Sequence, residues 1–137
     1  MVFEETVILS TPFAEAVDDV KAAFAAVGFG TLTEIDLQAT LKAKIGAELD
    51  PHVIIGACNP TLANRALQAD PQIGVLLPCN VVVRQSGDDV IVEAMDPGLM
   101  ATISGSEDIS PLADEARTLV NEALERLTAE AELTSGS

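Results

Sequence analysis

The placement of proline constrains this 137-residue chain more than any other feature. Six of the seven prolines follow a residue whose side-chain oxygen can cap a helix or open a turn: Thr11-Pro12, Asp50-Pro51, Asn59-Pro60, Asp70-Pro71, Asp96-Pro97 and Ser110-Pro111. Such an oxygen accepts a hydrogen bond from an unpaired backbone N–H, and proline's fixed φ suits the first helical position. The six pairs therefore predict where helices and turns begin. The seventh, Pro78, sits inside an apolar run over residues 74–84, where its missing N–H predicts an edge strand or a bulge.

Apolar periodicity fills in the segments between these marks. Residues 4–10 alternate as a first strand, with Glu5, Val7 and Leu9 on one side. Over 12–27, Phe13, Val17, Val20, Phe24 and Val27 follow helical spacing, and Gly28 suits the left-handed turn that ends such a helix. A short strand over 31–35 precedes a helix capped by Asp36 that is expected to bury Leu37, Leu41 and Ile45. A third strand spans 52–57, and a short helix over 60–69 turns Leu62, Ala63, Ala66 and Leu67 inward. Gln85-Ser86-Gly87-Asp88 predicts a hairpin into a strand over 89–94. A short helix from Asp96-Pro97 through Met100 and a polar loop over 103–110 lead to a final helix over 111–131. That helix is expected to bury Leu112, Ala116, Leu119, Ala123 and Leu127, with Glu122 and Arg126 paired outside. This order is α+β: an antiparallel sheet with two long helices packed on one face, forming a single domain over 1–132 and a disordered tail over 133–137.

Charge excludes several functions. Twenty-two acids against seven bases give a net charge of −15, and the bases are scattered from Lys21 to Arg126. Such a surface repels nucleic-acid phosphates and anionic lipid heads, so neither nucleic acid nor membrane is an expected partner. Four Phe with no Trp or Tyr leave no platform for stacking bases or sugars. No apolar run approaches the roughly 18 residues of a membrane span, and the acidic start carries no basic leader, so a cytoplasmic protein is expected.

Both cysteines lie in the stretch 53–83, each beside an asparagine and within two residues of a proline: Cys58-Asn59-Pro60 and Pro78-Cys79-Asn80. A cytosolic pair without CxxC spacing reads as free thiols, with a Cys58–Cys79 disulfide left open. Cys58 precedes a helix capped by Asn59, and an exposed cysteine at a helix N-terminus has a lowered pKa. The competing reading is a small buried core residue. Cys79 shares strand parity with Val81 and Val83 and is expected to face the core. If the strands holding them pair, Cys58 and Cys79 approach each other as a redox pair or as two ligands for a soft ion such as Cu(I) or Zn(II). His52, about 20 Å up the strand at 3.3 Å per residue, does not reach the same ion. Met95 and Met100 could add thioether ligands, but methionine near a helix start reads more often as packing material. No GxSxG, HExxH, P-loop or GxGxxG occurs.

Four segments, GACNP at 56–60, IGVLLPCNVVV at 73–83, KIGAEL at 44–49 and MDP at 95–97, make the chain resemble domain of unknown function family 302 over nearly its whole length. The resemblance implies a fold like one half of the TATA-binding protein, β-α-β4-α with a curved five-stranded antiparallel sheet, and a homodimer. It implies no DNA binding and no particular activity or cofactor. It singles out Cys58, Asn59, Pro60, Pro78, Cys79 and Asn80 without assigning them roles. Three readings follow. The preferred one is a non-enzymatic module binding a small ligand or soft metal at Cys58 and Cys79. The others are a thiol-based redox or transferase enzyme with Cys58 as nucleophile and Cys79 as resolving partner, and a structural or regulatory homodimer with inert cysteines.

Overall fold

A sheet that buries one face and leaves the other free of long helices organises the molecule. The computed structural model describes Val2 and residues 6–135, with side chains through residue 132. In chain order the elements are β1 (Val7–Leu9), α1 (Phe13–Ala25), β2 (Gly30–Asp36), α2 (Leu37–Ile45), β3 (His52–Cys58), α3 (Pro60–Ala69), a 3-10 helix (Pro71–Leu76), β4 (Cys79–Ser86), β5 (Asp89–Ala94), α4 (Gly98–Ser104) and α5 (Ile109–Ser135). The five strands lie in the order β1-β5-β4-β3-β2, and every neighbouring pair is antiparallel. Counting only sheet and long helices, this is the expected α+β order, β-α-β4-α, with α2, α3 and α4 added between.

Period-two alternation decides which face is buried. Val53, Ile55 and Ala57 lie opposite Val83, Val81 and Cys79, and Val83 and Val81 lie opposite Val92 and Ala94. All eight are buried. On this face α1 buries Ala16, Val17, Val20, Ala23 and Phe24, and it packs on both α5 and the sheet. The long helix α5 closes the layer with Ile109, Leu112, Ala116, Val120, Leu124 and Leu127. Its backbone continues to Ser135, into the tail expected over 133–137; the side chains from 133 and all of Gly136 and Ser137 lie outside the described residues, as do Glu4 and Glu5 of the first strand.

Four local expectations change. The apolar run before Pro78 is not a strand: residues 71–76 form the 3-10 helix, the Leu77–Pro78 peptide is cis, and β4 begins only at Cys79. Pro78 therefore precedes the ladder, and β4 is a central strand where an edge or a bulge was expected. Asp70 explains the switch, since its Oδ1 accepts the Gln72 N–H at 3.0 Å and caps the 3-10 turn. The helix α2 buries nothing, because it packs mainly along β2 and β3. Leu37 and Leu41 are half-buried and Ile45 is 75% exposed. Thr11 makes no cap bond to α1, and its hydroxyl is buried without a partner. The helix from Asp96-Pro97 runs on through 98–104 and occupies the start of the expected loop.

Candidate functional site

The end of β3 and the start of β4 meet beneath α3, and the backbone there brings both cysteines together. Ala57 lies directly across from Cys79, so Cys58 is one residue off the directly paired position. Asn59 then caps α3, its Oδ1 accepting the Leu62 N–H at 3.2 Å, with Pro60 at the first helical position. Gly28, at φ +93°, turns the chain after α1, and a Cβ there would stand 3.0 Å from Asn59 Nδ2. The amide of Asn59 is thus held by a helix start on one side and a close backbone on the other.

Between these parts lies a recess of about 30 Å³, walled by Cys58, Asn59, Cys79, Phe29, Leu62 and Met100, among others. At ~10–15 Å³ per water-sized group it holds two or three such groups. Among the described residues of the wall, Asn59 alone has an amide, hydroxyl or charged side chain. Cys79 is buried and Cys58 half-buried, and both are free thiols. Burial pushes the Cys58 thiol up from its ordinary value. Burial, reinforced by the neighbouring Cys58, pushes Cys79 up to about 11. This corrects the expectation of a lowered pKa at Cys58: loss of hydration at this strand end opposes ionisation more strongly than the start of α3 favours it.

The other three positions singled out by the sequence lie elsewhere. Pro60 is exposed at the first turn of α3. Pro78 packs against Gly56, its Cγ 2.7 Å from where a Cβ on that glycine would stand. Asn80, opposite Gly56, is exposed, and its carbonyl accepts the Met95 N–H at 3.0 Å. His52 sits at the far end of β3, paired with Arg84.

Of two further wall residues, Phe29 went unread in the sequence and Met100 was read as packing. Phe29 follows Gly28, and its N–H donates to the Phe24 carbonyl at 2.9 Å, while the Phe24 and Phe29 rings meet edge to face at 6.1 Å. An apolar residue directly after a helix-ending glycine is the signal that marks it. Met100 is buried in α4 and lines the recess, whereas Met95 is half-buried against the core.

Tested as a metal centre, the site offers two thiols and a thioether but no carboxylate or imidazole. Among the described residues no group of three or more His, Cys, Asp or Glu stands together. The donor set fits a soft ion that accepts few ligands, and it does not fit tetrahedral zinc. Among the described residues no helix is long and apolar enough to cross a membrane.

Comparison with known proteins places this geometry among others. The model of a family described as domain of unknown function DUF302 matches residues 5–127. A crystal structure of an uncharacterized conserved DUF302 protein from Bacillus stearothermophilus superposes with a TM-score of 0.82 and 26% sequence identity, covering 90% of this chain and 96% of that one. No curated protein matches the chain.

Proposed function

The chain belongs to the DUF302 family, and from that premise we propose that it is a non-enzymatic module that holds a small, soft ligand in the recess walled by Cys58 and Cys79. One observation carries this reading. The two thiols, from different strands, line a single small space whose other walls are almost wholly apolar. Such a space excludes water and rewards a species that sulfur can hold without charged partners. The raised thiols count against a free thiolate nucleophile, whereas a soft ion displaces the thiol protons as it binds. A cytoplasmic setting suits the same reading, because it keeps two unbridged cysteines reduced.

Alkylation of both thiols in the native protein, followed by mass spectrometry between about pH 5 and 9 with metal content measured on the same sample, tests it. The expected result is a bound species on isolation whose removal speeds alkylation of Cys58. Equal, slow alkylation with nothing bound before or after would sink the reading.

A second proposal concerns partners. The sheet face away from α1 and α5 presents Ile8, Ile35, Ile54, Val82 and Ile91, with Ile8 59% and Ile35 44% exposed. Its ionisable groups are His52 and Asp89 at the starts of β3 and β5 and the pair Arg84 and Glu93, with Arg84 Nε donating to Glu93 Oε1 at 2.7 Å. On a chain of net charge −15 this face is close to neutral. A second copy of so acidic a protein meets least repulsion there, and a two-fold pair would bury the apolar rows of both.

A further inference from the structure

Resting on the binding reading above, the geometry points to a monovalent soft metal ion, Cu(I), held by Cys58 Sγ and Cys79 Sγ with Met100 Sδ as third donor. The chain has two cysteines and three methionines. Three of these five sulfur residues, from β3, β4 and α4, wall the one recess of about 30 Å³. Cys79 and Met100 are only 7% and 5% exposed, so both are committed to the interior.

The rest of the wall decides between ions. Calcium and magnesium require oxygen ligands, and magnesium keeps several waters; the recess supplies one amide and apolar side chains. Structural zinc takes four nitrogen or sulfur ligands, and among the described residues no His, Asp or Glu joins the two cysteines. Thiolate and thioether donors select Cu(I). It accepts a low coordination number and needs no water here.

Binding balances without a redox step. Two S–H protons leave to solvent as two Cu–S bonds form, Met100 adds a lone pair, and copper stays at +1. The occupied site carries one negative charge. The first turn of α3, whose Asn59, Leu62 and Ala63 line the recess, places the positive end of that ten-residue helix beside it.

Anaerobic titration of the full chain with Cu(I) against a chromophoric Cu(I) chelator, repeated with Ag(I), tests the assignment. One ion per chain is expected, undisturbed by excess Zn(II), with X-ray absorption reporting three sulfur neighbours. Met100→Leu keeps an apolar side chain of similar size. Losing a supporting residue around a metal ligand already costs roughly 10–100-fold, so losing the thioether should weaken binding at least about tenfold. Cys58→Ser, at a half-buried position that tolerates a hydroxyl, should weaken it further. Native affinity in Met100→Leu, or two sulfur neighbours only, overturns the three-sulfur site. No Cu(I) binding by the native chain overturns the metal itself. If in that case a different species still protects the thiols, the recess reading survives while the copper assignment does not.

Discussion

Pro78 and Gly56 meet closely across the β3–β4 ladder: the proline Cγ lies 2.7 Å from the position a Cβ on Gly56 would occupy, and Thr33 Oγ1 from β2 fills the same position. Glycine is required here by close approach, since Thr33 is held in β2 and Pro78 is anchored directly before β4. Gly56→Ala must displace a proline ring or a strand, and overpacking of this kind costs about 1–3 kcal/mol. Urea denaturation should show a lower midpoint with an unchanged slope. An unchanged midpoint would mean that Pro78 yields freely.

The cap at Asn59 makes a second, separable prediction. Asn59→Ala removes the acceptor for the Leu62 N–H and should cost about 1 kcal/mol, while Asn59→Asp keeps an acceptor and should retain most of the stability. Gly28→Ala attacks the same contact from the other side. It forces a side chain into φ +93° and brings a Cβ 3.0 Å from Asn59 Nδ2, for a loss of about 1–3 kcal/mol. Thermal melts of the three variants should order them Asn59→Asp, then Asn59→Ala, then Gly28→Ala.

Stability should fall in alkali. An unfolded thiol titrates near its ordinary value of 9.0, whereas Cys79 in the fold titrates at about 11. Between those values the unfolded chain has released the proton and the folded one still holds it, so unfolding is favoured as pH rises. The contribution of Cys79 is whole below about 9 and lost by about 11, a change of up to about 3 kcal/mol at 1.36 kcal/mol per pH unit. Cys58, raised by burial as well, acts in the same direction. Denaturation midpoints of native protein and Cys79→Ala at about pH 8 and about pH 10.5 provide the check. The drop should be smaller in the variant, and equal drops would show that Cys79 ionises freely in the folded state.

What the sequence revealed tracks how local each signal is. The alternation at Val7 and Leu9 and at Cys79, Val81 and Val83 set strand faces correctly because period two is fixed by the backbone. Gly87, at φ +60° as the first of two residues linking Ser86 to Asp89, made the hairpin readable. The apolar run IGVLL did not disclose that it was a 3-10 turn. A short apolar segment carries no period of its own, and the cap at Asp70 with Pro71 was the better guide. Burial of Leu37, Leu41 and Ile45 failed for another reason. The amphipathic spacing was present, but the position of α2 along β2 and β3 is a tertiary fact. Cys58, Asn59 and Cys79 were legible because two of them are neighbours and the third lies on an adjacent strand. Met100 reaches the recess from α4, a placement no local pattern reports.

The uncovered sheet face gives the last prediction. Ile8 on β1 and Ile35 on β2, near opposite edges of the sheet, are exposed enough that replacing them should cost the isolated chain little. In a pair of copies joined through this face both would be buried, and a carboxylate there would be desolvated without a partner while adding to the repulsion between two chains of net charge −15. Sedimentation velocity across the micromolar range should therefore find the native chain as a dimer and Ile8→Asp/Ile35→Asp as a monomer with a nearly unchanged melting temperature. The change should grow weaker in high salt, which screens the repulsion but leaves the desolvation cost. A native chain that sediments as a monomer throughout, or a double variant that remains dimeric, would remove this face as the contact and leave the acidic surface without a self-association site.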